Sequence, residues 1–236
     1  MICIWSLHIW SLQIIFYAPL DLKIHLDYIL SKFLTFELKT EMMKPVKIHP
    51  LAKIVLSWFS RLRFKPEAFT FTQKVTESQS VLICMPSDID RFAMARDLLS
   101  TFVDIFQHKR IFVLLPFLGA KEYLSSSTRY GVISAQKEDL NIFYLPRKKF
   151  IQKLKDHRFD ISLNLDLEDG FFNCYLCLKC KVPLRIGAKR KNAFPLYNIQ
   201  LAVTKDRLGS REVYEGMAKT LKTLFSESER TIPESI

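Results

Sequence analysis

From residue 80 onward, apolar runs of strand length alternate with longer stretches in which apolar side chains recur every three or four positions, a pattern that predicts βαβ units. Residues 80–86, SVLICMP, are continuously apolar, as a central strand buried on both faces requires. Residues 88–106 place Phe92, Ala95, Leu99, Phe102, Val103 and Phe106 on one helical stripe, with Ser87 or Asp88 as the N-cap. RIFVLLP at 110–116 reads as the second strand, 118–127 as a short helix, LNIFYLP at 140–146 as the third strand and 147–157 as the next helix. FDISLNLDLEDG at 159–170 alternates Ile161, Leu163, Leu165 and Leu167 with small or polar residues and stops at an acid cluster, which makes it a fourth strand. A helix at 170–180, strands at 182–190 and 195–203 and a helix at 209–225 follow; the last carries Val213, Met217, Leu221 and Leu224 on one side. The expectation is an α/β fold, a single Rossmann-like domain over 80–225 with a mainly parallel six-stranded sheet flanked by helices, and a polar, flexible tail at 226–236.

Upstream the pattern changes. Residues 44–65 put Leu51, Ile54, Val55, Trp58, Phe59 and Leu62 on one face after Pro50, and carry Lys44, Lys47, Lys53, Arg61, Arg63 and Lys65 without an acid. A basic amphipathic helix with aromatic residues suits an anionic membrane surface, with Lys53, Trp58, Phe59, Arg61 and Arg63 in contact; the same stripe equally suits packing on the domain behind it. Residues 66–79 read as a polar linker. Residues 1–43 form an apolar extension, disordered or upstream of the true start, since Met42 and Met43 precede the first strong pattern. Positions 1–20 lack Asp, Glu, Lys and Arg and reach the ~20 residues of a membrane span, yet Ser6, His8, Ser11 and Gln13 lie all round that helix and no basic segment precedes it.

The 236 residues, 49% hydrophobic and 25% charged, are globular in composition and long enough for one sizeable core. A net charge of +11 points to an anionic partner: lipid head groups, lipopolysaccharide phosphates or nucleic acid. Nucleic acid ranks last, because the interleaved aromatic and basic motifs of single-strand binders are missing. Five cysteines, an odd number, do not make a disulfide framework and favour a reducing cytoplasm; with the basic helix, the expected location is cytoplasmic, peripheral to the inner face of the cytoplasmic membrane. Cys174, Cys177 and Cys180 form C-x2-C-x2-C, but Leu184 stands where an iron–sulfur run continues with cysteine, and the neighbouring Phe172, Leu176 and Leu178 suit buried structural thiols. The scattered histidines give no zinc signature, and no metal or cofactor is expected. The turn MPSDIDRF has no glycine to bring backbone against a pyrophosphate, which excludes a usual dinucleotide-dependent dehydrogenase.

The candidate chemistry therefore gathers at strand ends. Ser87, Asp88 and Asp90 follow the first strand; a carboxylate there suits a general base toward a sugar hydroxyl, or a helix cap. Asp166, Glu168 and Asp169 end the fourth strand, where open α/β sheets bind ligands and where helix N-termini favour acids. Lys189, Arg190 and Lys191, after Gly187, suit an acceptor phosphate or a solvated loop.

The order of these motifs resembles the N-terminal half of bacterial lipopolysaccharide heptosyltransferases, glycosyltransferase family 9. Residues 80–205 carry the likeness: Phe159, Asp160, Ile161, Leu163 and Leu165 are similar to that family's Asp-led strand, and Arg185, Ile186 and Gly187 to its "vRiG" strand. The resemblance implies one half of a GT-B architecture, an acceptor-side lobe for cell-envelope glycan assembly, with Asp90 or Asp88 as base and Ser87, Asp166, Glu168, Lys189 and Arg190 on substrate. The family's glycine before its catalytic Asp is absent from SDIDRF, and its donor-binding second lobe is not recognisable here. The implied partners are a glycolipid acceptor or anionic membrane surface and a separately encoded donor-domain protein; the alternative is a non-catalytic, membrane-associated relative acting as a binding or scaffold protein. Asp88 and Asp160 are expected at the same end of the molecule.

Overall fold

The computed structural model describes residues 45, 46, 50, 70–117, 124, 127–167, 171–189, 197–203 and 211–230, all within the compact unit Lys44–Ile236. The apolar run after residue 80 forms strand β1 (Ser80–Cys84), buried at every position. Its neighbours are β2 (Arg110–Leu115) on one side and β4 (Ile161–Asn164) on the other, with Val81 in register with Ile111 and Ile161. Outside these lie β3 (Gly131–Ser134), beside β2, and β5 (Leu184–Ala188) and β6 (Ile199–Leu201), beyond β4. All pairings are parallel, and the order β3-β2-β1-β4-β5-β6 is that of a doubly wound sheet. The expected α/β class and six-stranded parallel sheet flanked by helices are what the chain adopts.

Side chains alternate across β1, so its two faces meet different helices. Leu82 and Cys84 join Leu114, Phe150, Leu154, Phe172, Leu176 and Cys177 in one cluster, under helices α4 (Lys148–Lys155) and α5 (Phe171–Lys179). Val81 and Ile83 point to the opposite face. The helical stretch after β1 divides at Leu98 into α2 (Ile89–Asp97) and α3 (Leu99–Ile105), and all six of its expected core residues are buried. These helices pack with α1 (Phe71–Glu77) against the final helix α6 (Arg211–Arg230). Phe225 of α6 makes edge-on contacts with Phe71 and Phe106, with ring centroids 5.8 and 4.9 Å apart.

Several expectations give way. LNIFYLP is no strand: Leu140 and Pro146 close a turn by an isolated bridge, and Ile142, Phe143 and Tyr144 project into solvent. The third strand is GVIS instead, a four-residue edge strand too short to stand out by periodicity. Within the expected linker 66–79, Phe71–Glu77 is helical, because Val75 is buried and Phe71 meets Phe225. In the expected tail, helix α6 continues through Ser226 to Arg230; Leu224 is only partly buried, and Phe225 takes the core position. Pro45 and Val46 do not begin a helix. Pro45 bridges Phe117, and the Val46 amide donates to the Pro116 carbonyl at 2.8 Å. Most of the 44–65 stretch, including Lys53, Trp58, Phe59, Arg61 and Arg63, lies outside the described residues, as do residues 1–43 and most of the short helix expected at 118–127.

Asp88 and Asp160 lie at opposite edges of the sheet. Asp160 immediately precedes β4, and its Oδ2 accepts from the Gln79 and Ser80 amides at 2.9 and 3.0 Å and from the Ser80 hydroxyl at 3.0 Å, which pins together the entrances of β1 and β4. Asp88 follows the exit of β1. The expectation that they share an end fails on direction: in a parallel pair, a residue before one strand and a residue after its neighbour are separated by the strand length.

Candidate functional site at the sheet switch point

Strand order reverses at β1 and β4, so the chain leaves their carboxyl ends in opposite directions along the sheet, which is where doubly wound sheets take ligands. Met85 and Leu165 extend the ladder one residue past the strands, their amides donating to Leu114 and Cys84 carbonyls, both at 2.9 Å. The β1 loop then turns at Ser87 and the β4 loop delivers Asp166. Here the structure joins two residues seventy-nine positions apart: the Ser87 amide and hydroxyl both donate to Asp166 Oδ2, at 3.0 and 2.7 Å.

Asp166 is 2% exposed. An acid so deeply placed must meet donors, and these two fix the loop that carries Ser87, Asp88 and Asp90. Its own amide donates to Asn164 Oδ1 at 3.0 Å. Asp166, buried and bonded twice by Ser87, braces the loop that follows β1. Ser87, half-buried, holds the same clamp.

Beneath the clamp lies a polar layer that periodicity did not reveal. Asn164 Nδ2 donates to the Tyr197 hydroxyl at 2.7 Å, and Asn173 Nδ2 donates to the Met85 carbonyl at 3.0 Å and to Asn164 Oδ1 at 3.2 Å. Cys174 Sγ lies 3.1 Å from the Tyr197 hydroxyl and 3.5 Å from Asn164 Nδ2. The layer ties β1, β4, helix α5 and the approach to β6 into one support. Gly187 belongs to it by size: a Cβ there would come within 2.5 Å of the Tyr197 ring. Asparagines inside apolar runs were the available signal, since an interior strand position tolerates them only with partners. Asn173 Oδ1 is buried and has no hydrogen-bond partner among the described residues.

Asp88 is exposed and caps helix α2, its Oδ1 accepting from the Arg91 amide at 3.0 Å. Asp90 is exposed in the first turn. Both carboxylates stand just past the β1 exit, and both favour the positive end of that helix. Lys189 follows β5 on the same carboxyl edge with its side chain exposed; by strand spacing it stands roughly 10 Å from the β1 exit, beyond direct contact with Ser87. Glu168 and Arg190 lie outside the described residues.

Among the described residues, the thiols of Cys84, Cys174 and Cys177 are buried behind this edge, and Cys180 packs against the core. Cys84 and Cys177 are buried with their sulfurs 3.9 Å apart; the hydrogen bond to Cys177, with burial, holds the Cys84 thiol well above its ordinary value. Burial, reinforced by Cys177, pushes half-buried Cys180 up to about 12. Held so, the Cys84 and Cys180 thiols stay protonated and unreactive near neutrality. Among the described residues, no three His, Cys, Asp or Glu side chains gather in a way that would hold a metal ion.

No family model matches this chain, and no curated protein matches it either. Among solved structures, the chain is similar to the E. coli ADP-heptose lps heptosyltransferase II, with 19% sequence identity and a TM-score of 0.45, over 59% of this chain and 40% of that one. The match therefore spans less than half the length of that protein.

Proposed function

We propose that the lobe built on this sheet is the acceptor side of a glycosyltransferase-like protein, binding a phosphorylated sugar acceptor, such as lipopolysaccharide core, at the carboxyl ends of β1 and β4. The observation that carries the reading is the Asp166–Ser87 clamp, which fixes a carboxylate-bearing loop at the switch point of a doubly wound sheet. Asp90, exposed in the first turn of α2 where Asp88 makes the cap, is the better placed of the two acids to take a proton from an acceptor hydroxyl. Lys189 on the same edge supplies a cation for an acceptor phosphate. A nucleotide-sugar donor is brought to this edge by a second lobe or by a separate donor-domain protein.

One observation favours a binding role without catalysis: the Asp88 carboxylate already serves the Arg91 amide, and no glycine opens the loop for a close approach. Sugar transfer measured with and without a candidate donor-domain partner separates the two. Transfer that disappears in Asp90→Asn supports the enzyme; acceptor binding with no transfer under either condition supports the binding protein; absence of acceptor binding sinks both.

A further inference from the structure

The turn that replaces the expected third strand presents its apolar side chains to water. Leu140 and Leu145 pack toward the core at its base, while Ile142, Phe143 and Tyr144 at its tip are 84%, 43% and 49% exposed. The turn is closed by its own bonds. Asn141 Oδ1 accepts from the Phe143 and Leu145 amides at 2.9 and 3.0 Å, the Asn141 amide donates to the Leu145 carbonyl at 2.9 Å, and Tyr144 adopts a left-handed φ of 58°. Below the tip, Arg147 Nε donates to the Leu140 carbonyl at 2.8 Å. An adjacent Ile-Phe-Tyr exposed to this extent at the tip of a built turn is an apolar patch on the surface.

Charge surrounds it on the C-terminal side. From Leu140 to Lys155 the chain carries Arg147, Lys148, Lys149, Lys153 and Lys155 and no carboxylate, and all five cations are exposed. Three of them, Arg147, Lys148 and Lys149, stand at the start of helix α4, which has no acid in its first turn and no side-chain cap. Cations there oppose the helix dipole, so they weaken the helix unless an anion lies across them. Glu138 and Asp139 precede the turn; the Asp139 carboxylate is engaged by the Gln136 amide at 2.9 Å.

We propose that the Ile142–Tyr144 tip inserts into the interface of an anionic lipid bilayer, with Lys148, Lys149 and Arg147 against lipid head groups. Apolar and aromatic side chains suit the boundary between head groups and acyl chains, and basic residues beside them are drawn to an anionic leaflet. A second copy of the chain fits the surface worse, because a pair of such tips brings two sets of cations together. The inference rests on this turn and stands apart from the sugar-transfer reading, so failure of one leaves the other intact.

The test is flotation of the full chain with vesicles of phosphatidylcholine alone or mixed with phosphatidylglycerol, using the parent, Ile142→Ser/Phe143→Ser and Lys148→Gln/Lys149→Gln. The parent should bind the anionic vesicles in a salt-sensitive way, and each double variant should lose about tenfold or more in partition, with thermal midpoint and circular dichroism unchanged. Ile142→Trp should add blue-shifted emission when anionic vesicles are present. Parent-like binding by the tip variant, equal and salt-insensitive binding to neutral vesicles, or concentration-dependent dimerisation abolished by Ile142→Ser/Phe143→Ser without vesicle binding would each overturn the proposal.

Discussion

Gly187→Ala tests the polar layer under the clamp with a single methyl group. The added Cβ would lie 2.5–2.7 Å from three carbons of the Tyr197 ring, where ordinary contact begins at 3.4 Å, so the ring must retreat by 3.4 − 2.5, about 0.9 Å. Its hydroxyl bond to Asn164, now 2.7 Å, would stretch toward 3.6 Å and cease to be a hydrogen bond. Overpacking of this kind costs about 1–3 kcal/mol, and a buried donor left without its partner adds about 1 kcal/mol. The sum, about 2–4 kcal/mol, corresponds to a fall in midpoint of roughly 5–15 °C for a protein of this size. Urea denaturation gives the free energy, and the decisive comparison is a double-mutant cycle. In a Tyr197→Ala background the same substitution should cost less than about 0.5 kcal/mol, because the clashing ring has gone. Gly216→Ala is the control of opposite sign: nothing lies within 4 Å of its added Cβ in the middle of helix α6, and the change should stabilise by about 0.5–1 kcal/mol. An unperturbed Gly187→Ala protein, or one equally destabilised with and without Tyr197, would refute the packing argument.

Asp166→Ala should destabilise by about 3 kcal/mol or more by leaving the Ser87 amide and hydroxyl without their shared acceptor, whereas Asp166→Asn, which keeps an acceptor oxygen, should lose less; equal losses in chemical denaturation would count against the clamp. Asp160→Ala should cost about 1–3 kcal/mol yet leave acceptor affinity unchanged once folded, because its three bonds lie at the other edge of the sheet; an affinity change would contradict that placement. Cys180 makes stability fall at alkaline pH: with the folded thiol pushed up to about 12, the unfolded chain loses its proton first, so the contribution is whole below the ordinary thiol range and is lost as pH climbs toward 12. Urea midpoints measured across that interval should decline less steeply in Cys180→Ala, and identical slopes would remove this thiol from the account.

The fold was legible where burial is uniform. β1 reads as one unbroken apolar run because helices cover both its faces, and α4 shows its buried Phe150 and Leu154 at a spacing of four among cations. β3 was not legible, since GVIS is a short edge strand of partly buried residues, and LNIFYLP mimicked it: composition distinguishes an apolar run from a polar one but not an inward run from one held outward by Asn141. At the site, the loop acids were visible as strand-end residues, but their division of labour was not. Whether an acid faces solvent, as Asp90 does, or is sealed against a partner seventy-nine residues away, as Asp166 is, depends on pairing that local sequence does not encode. The contribution of Tyr197 was invisible for the same reason: the ring that lies against Gly187 comes from a loop ten residues further on.

The most direct test of the central claim is to map the acceptor onto the lobe by amide chemical shifts, titrating the isotopically labelled full chain with lipopolysaccharide inner-core oligosaccharide. Saturable shifts gathered at residues 85–91, 165–167 and 189, with residues 158–160 and 79–80 unmoved, are the predicted result. No saturable shift, or shifts gathered at the Asp160 edge, would contradict it.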